Sequence, residues 1–395
     1  MDWQLFKELL EIDSTSGRER EVAEWLLSRL EAPRKEAMEL GDGTLNLLLS
    51  WGTPKVVFCS HTDTVPPYIA PHFPEEIIPK GLVHPRTSVG GGARWLAVRG
   101  ADEADSGRGR SEQSERSPFG DNLLRITGRG SCDAKGQVFA LYTACKALEA
   151  EGCTDFGLLL LAGEETGSWG AKAFSKTGFE APFLIIGEPT ENKMVSASKG
   201  TKSYDLSFQG EAFHSGYPQY GVSAVDLFMD FYNKLKAKNF GEDPLLGKTT
   251  WNIGLLHSDN PQNILSPELT CRLYFRTTFV SHQAVQEWMQ EISSQIPDEA
   301  HCHSERSEES IGVTVKPNGS GDEPARYVTL PGFESAPASF GTDAPHLTGF
   351  GHKIICGPGS IRHAHRPDEQ VTVAELETAV EQYIRMYQAF TKSSL

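Results

Sequence analysis

A chain of 395 residues with 38% hydrophobic residues is too long for one small core and fits two domains of ordinary size. Its formal net charge of −16 disfavours nucleic acid and anionic membranes as partners, since either would be repelled across most of the surface, and suits a protein that gathers cations. No apolar run approaches the roughly 18 residues of a membrane helix, and the N-terminal MDWQLFKELLEIDSTSGRE lacks the basic flank and apolar core of a secretion signal, so a cytoplasmic location is expected.

Leu5, Phe6, Leu9 and Leu10 form one helical stripe, and Val22, Leu26 and Leu30 continue the spacing after a Ser14-Thr15-Ser16-Gly17 turn, so two amphipathic helices open the chain. Short apolar runs then alternate with helical stretches: Val56–Ser60, a helix over Lys135–Glu151, Gly157–Ala162, a helix near Gly170–Lys176, and Pro182–Gly187. Near the end, His352–Cys356 repeats the apolar run and Val373–Ala389 forms a long helical stripe. This alternation predicts an α/β fold with a mostly parallel central sheet. Between about 196 and 320 the pattern changes to strands at Lys199–Gln209, Thr250–Leu256, Glu268–Thr278 and Gly312–Lys316, with helices at Ser223–Lys236 and Gln283–Ile296. An inserted α+β lid over 196–320 is expected, splitting the catalytic domain into 1–195 and 321–395.

Two stretches fit neither domain. Residues 84–118 contain SVGGGARW, DSGRGR and SEQSERS, and residues 299–311 read EAHCHSERSEESI; both are expected to be flexible surface insertions. His301, Cys302 and His303 read as solvated surface groups. The seven cysteines are an odd number without CxxC pairing and read as reduced thiols.

The chemistry gathers where the predicted strands end, the place where open α/β sheets form their binding crevice. His61 and Asp63 follow VVFCS, Glu164 and Glu165 follow GLLLLAG, Glu188 follows PFLIIG, and His363 and His365 follow KIICG in a loop. Asp133, in GRGSCDAKG, stands before a helix and has the competing reading of an N-cap. Zinc takes imidazole and carboxylate ligands, and two zincs about 3.5–4 Å apart need a bridging carboxylate, for which Asp133 is the candidate. His61 and Asp63, two apart in an extended strand, face the same way, so Asp63 can orient the imidazole. Of the adjacent glutamates one is expected to bind metal while the other serves as general base. GRGSCDAKG lacks the GxxxxGK[ST] order of a phosphate loop, and GPGSI lacks the second glycine of a GxSxG elbow.

With HTDTVP at 61–66, GRGSCDAKG at 128–136, EETG at 164–167 and GEPT at 187–190, the chain resembles the zinc aminoacylase and carboxypeptidase family that includes acetylornithine deacetylase, succinyl-diaminopimelate desuccinylase and glutamate carboxypeptidase. The likeness implies a zinc-exopeptidase-like catalytic domain with an inserted lid and dimerisation domain, and two divalent metal ions, zinc or alternatively cobalt. His61 and Glu188 would bind one ion, Glu165 and His365 the other, and Asp133 both, with Glu164 as base and Asp63 supporting His61. GEAFHSGYP at 210–218 resembles the family segment whose histidine reaches the partner subunit's site. It marks His214 as an oxyanion stabiliser and implies a homodimer through the lids. Asn263 in NPQNILSPE and Arg276 in CRLYFRTT match positions that contact the substrate carboxylate. TDAP at 342–345 and CGPGSIRHAHRPDEQ at 356–370 look most like acetylornithine deacetylase, and there the ligand is the histidine before the basic residue and PDE, which favours His365 over His363. The function this implies is hydrolysis of a small N-acyl amino acid, N2-acetyl-L-ornithine first. The alternatives are acetylcitrulline, succinyl-diaminopimelate, aminoacylase or dipeptidase activity, and more remotely a non-catalytic metal-dependent binding protein. The 84–118 insertion falls where the family chain is usually short, which bears on substrate choice.

Overall fold

The computed structural model describes residues 1–41, 43–77, 124–294, 311–319 and 321–392. The 84–118 insertion, residues 299–310 of the second, and with them His301, Cys302 and His303, lie outside the described residues.

A six-stranded sheet forms the centre, in the spatial order Arg34–Glu39, Leu45–Gly52, Asp155–Leu161, Val56–His61, Ala181–Ile186, Phe350–Ile355. The last four run parallel to one another, whereas the first two pair antiparallel. This is an α/β fold with a mostly parallel central sheet. Its inner strands Asp155–Leu161 and Val56–His61 are apolar along most of their length because both faces are covered. Val56, Phe58, Leu158 and Leu160 enter the core on one side, with the helices Trp3–Leu10, Arg20–Arg29, Lys135–Ala150 and Val373–Lys392. The alternate residues Val57, Cys59, Leu159 and Leu161 enter the other, with Phe174 and Leu347. Stacking of Phe6 on Phe139, with ring centroids 4.6 Å apart, joins the first helix to the helix Lys135–Ala150.

Two strands of this sheet escape the sequence pattern. Leu45–Gly52 is buried along almost its whole length and was not anticipated. Its partner Arg34–Glu39, RKEAME, is a charged edge strand with no apolar alternation, the composition that blunts an open edge. The helix expected near Gly170–Lys176 is shorter, Trp169–Phe174, and closes in a 3-10 turn at Ser175–Thr177.

After Ala181–Ile186 the chain leaves the central sheet, returning at Phe350–Ile355, which pairs directly alongside. In between lies an antiparallel sheet in the order Thr250–His257, Glu268–Thr277, Gly200–Gln209, Gly312–Pro317. The helices Ala224–Ala237 and His282–Ser294 cover one face, where Leu206, Phe208, Leu273 and Phe275 meet Phe228, Phe231 and Trp288. From Leu269 onward the strand Glu268–Thr277 alternates strictly between buried and half-buried positions, so Tyr274 and Arg276 stand on the face opposite the helices. Among the described residues, no helix is long and apolar enough to cross a membrane.

Candidate active site

The parallel strands deliver the acids and histidines to one end of the central sheet. His61 is the last residue of Val56–His61, Glu164 follows Asp155–Leu161 by a short turn, and Glu188 lies two residues past Ala181–Ile186. The turn after Leu161 demands glycine at 163: its φ is +69°, and a Cβ there would lie 1.7 Å from the Trp169 indole nitrogen. His365 also adopts a left-handed backbone, φ 63°, at a non-glycine position, a cost of about 1–3 kcal/mol of the kind that collects at functional sites.

Asp133 sits at the centre. Its Oδ1 is 3.1 Å from His61 Nε2 and its Oδ2 is 3.4 Å from His365 Nε2, while His365 Nε2 is 2.9 Å from Glu165 Oε1. One ligand atom each from His61, Asp133 and Glu165 lie within 4.8 Å of one another. Asp133 does not cap the following helix, whose N-cap is Ala134. His363, the rival of His365, instead has its Nδ1 3.3 Å from Gln370 Nε2. Lys135 of the same glycine-rich segment is buried, with its ammonium on the Ile12 carbonyl.

Asp63 does more than meet its histidine. Its Oδ1 is 3.2 Å from His61 Nδ1 and accepts the Glu164 backbone N–H at 3.0 Å; its Oδ2 accepts the Glu165 N–H at 3.1 Å and the Ser16 hydroxyl at 2.8 Å. One buried carboxylate thus fixes the imidazole and the turn carrying both glutamates. Sequence reasoning missed Ser16, whose tie spans 47 residues. It also missed Asp343 of TDAP, fully buried beside the acids with its Oδ1 lacking a hydrogen-bond partner. The motif itself was visible; no periodicity assigned its aspartate a place.

A cleft of about 290 Å³ opens here, lined by Asp133, Glu164, Glu165, Glu188 and His365 on one side and by Thr201, Tyr274 and Arg276 of the antiparallel sheet on the other. Arg276 reaches across to the loop at Gly341, where a Cβ would lie 3.5 Å from its Nη1. His214 and Asn263 do not line this cleft. They are exposed and close together: the Asn263 carbonyl accepts the Ser215 N–H at 2.9 Å, and His214 bridges to Ile264.

The electrostatics fit a cationic occupant. Burial pushes Glu164 and Glu188 well above the usual carboxylate range, with neighbouring carboxylates adding to the rise and His61 opposing it. Asp343 is pushed up to about 6 by burial, again against His61. Hydrogen bonds to Asp133 and Glu165 raise His365 to about 10. So many acids with two imidazoles make a strong divalent-cation donor set, and such a cation would relieve their mutual repulsion.

A pH dependence follows. Glu164 and Glu188 hold protons in the folded protein above the unfolded glutamate pKa of about 4.3, and His365 holds one above its ordinary 6.5. Stability from these groups is therefore complete below the unfolded pKa values and is lost as pH rises through the folded ones. Chelator-treated protein is expected to lose thermal stability as pH rises from about 5 to about 10, where His365 gives up its proton, while stabilisation by added Zn²⁺ grows over the same range, because ligands must be deprotonated. Differential scanning fluorimetry with and without Zn²⁺ reads both; chelated protein that becomes more stable as pH rises would contradict the assignment.

Residues 111–389 match the family described as Peptidase family M20/M25/M40. A peptidase M20 domain-containing protein of Schizosaccharomyces pombe is 31% identical over 97% of this chain and 83% of its own length. A probable carboxypeptidase of Aspergillus terreus is 28% identical over 97% of this chain and 85% of its own. Among solved structures, an aminopeptidase PepT from Bacillus cereus superposes with a TM-score of 0.64 at 18% identity, covering 97% of this chain and 96% of that one. An M20 family metallo-carboxypeptidase from Sulfolobus solfataricus superposes with a TM-score of 0.61 at 15% identity, covering 97% and 98%.

Proposed function

The chain belongs to peptidase family M20/M25/M40, and on that premise we propose that it is a two-metal hydrolase of linear amides, releasing an amino acid with a free α-carboxylate from its N-acyl derivative or from a short peptide. The observation that carries this reading is Asp133, whose two carboxylate oxygens face two different histidines, the arrangement of a ligand shared between two ions. His61 and Glu188 would hold one ion and Glu165 and His365 the other, with zinc the expected metal and cobalt the alternative. When bound, such ions polarise the scissile carbonyl and make water a better nucleophile.

The rest of the reaction falls to the protein. Glu164 lies in the cleft beside Glu165, which is already engaged by His365. Glu164 takes a proton from the attacking water and returns it to the leaving amine. Asp63 keeps His61 oriented. Arg276, on the opposite wall, pairs with the substrate carboxylate through its planar fork of donors. The small cleft suits an amino-acid derivative or dipeptide, and the relative named as a carboxypeptidase supports a substrate with a free carboxylate. A non-catalytic binder would need ligands but no spare carboxylate such as Glu164.

N2-acetyl-L-ornithine is the narrower candidate, supported by the TDAP and CGPGSIRHAHRPDEQ segments alone. The relatives' names point to peptidases, so the broader class is the proposal. His214 and Asn263, exposed outside their own cleft and beside the exposed Phe213, Tyr217 and Tyr220, support a homodimer through the 196–320 lid in which His214 serves the partner's cleft.

A panel of N-acetyl amino acids, N-succinyl-diaminopimelate and dipeptides, each with a C-terminal carboxamide counterpart, tests the reading. The free acids are expected to turn over and the carboxamides to fail. Arg276→Ala is expected to raise KM for the acids about 10–100-fold with kcat little changed. Equal rates on acids and carboxamides would overturn the carboxylate requirement, and dominance of the acetylornithine substrate would establish the narrower candidate.

A further inference from the structure

Glu369 is an acid that the cleft does not use, buried with 1% of its surface exposed. Its Oε1 accepts three backbone N–H groups of a single loop, from Gly130 at 2.9 Å, Cys132 at 3.1 Å and Asp133 at 3.0 Å. Its Oε2 pairs with the buried guanidinium of Arg129, and its backbone carbonyl accepts the Gly128 N–H at 3.1 Å. Arg129 in turn donates to the carbonyls of Pro67 at 3.2 Å and Arg366 at 3.4 Å. The Glu369–Arg129 pair therefore ties together three segments, those that follow His61, carry Asp133 and follow His365.

We propose that Glu369, paired with Arg129, is the positioning residue that sets the Asp133 carboxylate between the two histidines. The inference rests on the reading of Asp133 as the shared metal ligand. A carboxylate serving two ions cannot swing toward either one, and its neighbours in the cleft repel it. Fixing the backbone N–H of residue 133 and of the residue before it removes that freedom at the chain itself. Three N–H groups converging on one oxygen favour an anionic acceptor, which a carboxylate supplies. Arg129 offsets the charge of Glu369, so the clamp adds no net negative charge behind the acid cluster. Glutamine would keep an oxygen for the loop but turn an amide N–H₂ toward the Arg129 donors.

The test is Zn²⁺ affinity, measured by competition with a chromophoric chelator, alongside the melting temperature of the chelated protein. Glu369→Ala is expected to remain folded and bind Zn²⁺ about 10–100-fold more weakly. Glu369→Gln is expected to lose affinity measurably but less. Leu206→Ala, in the core of the antiparallel sheet, lowers the melting temperature without touching the clamp and is expected to leave affinity unchanged. Wild-type affinity in folded Glu369→Ala overturns the proposal; if that variant does not fold, wild-type affinity in Glu369→Gln overturns it. Asp133→Ala separates the two levels. If it keeps wild-type affinity, the underlying metal site is wrong; if it loses affinity while the Glu369 variants do not, only the positioning role fails.

Discussion

Glu164→Gln is expected to lower kcat by about 10²–10⁴-fold while KM and metal content stay close to wild type. Glutamine fills the same space and keeps the backbone N–H that Asp63 holds, so the turn carrying Glu165 remains in place. What disappears is a group that exchanges a proton. The neighbouring glutamate cannot substitute, because its Oε1 is engaged by His365. Burial raises the Glu164 pKa and so strengthens it as a proton acceptor once ionised, and cations beside it would favour the ionised form. Stopped assays on the wild-type and mutant proteins, with metal content determined by elemental analysis, check both halves. Near wild-type turnover would remove Glu164 as the base, and loss of metal with loss of turnover would recast it as a ligand.

Asp133→Ala is expected to cost more, because a single side chain serves both histidines. Two metal positions should be lost or weakened together and activity should fall by more than about 10³-fold, since several kcal/mol of charge stabilisation at the carbonyl goes with them. His61→Ala, by contrast, touches one oxygen of Asp133 and one proposed ion, and is expected to leave a single metal per chain. Titrating each apoprotein with Zn²⁺ by isothermal calorimetry distinguishes the cases. An Asp133 variant that still binds two equivalents would show that the carboxylate is not shared.

Much of the site was legible because a parallel sheet converts sequence order into spatial convergence. An apolar run followed by His or Glu, repeated along the chain, places each group at the same end of the sheet, and His61, Glu164, Glu165 and Glu188 stand there. That Asp133 is not a cap was not readable from its local context; the N-cap at Ala134 excludes that reading, and the distances from Asp133 to His61 and His365 support the other. Arg276 reaches the cleft because strand alternation puts it on the face away from the helices, whereas Asn263, in a loop, follows no such rule and stands elsewhere.

What was not legible is mostly support across long separations. Ser16 holds Asp63 from the N-terminal turn, and Glu369 holds the Asp133 loop from 236 residues away. Neither contact leaves a periodicity, and a polar residue in a turn reads as solvated until a partner appears. The strand Arg34–Glu39 was missed for a related reason: an edge strand protected by charge has the composition of a loop.

The claim on which all this stands is that His61, Asp133, Glu165, Glu188 and His365 hold two divalent ions with Asp133 common to both. Crystals of the Zn²⁺-loaded protein, with anomalous data collected at the zinc edge, test it most directly. Two peaks among these five side chains, one on either side of Asp133, are the predicted result. A single peak, or peaks held by other residues, would contradict it.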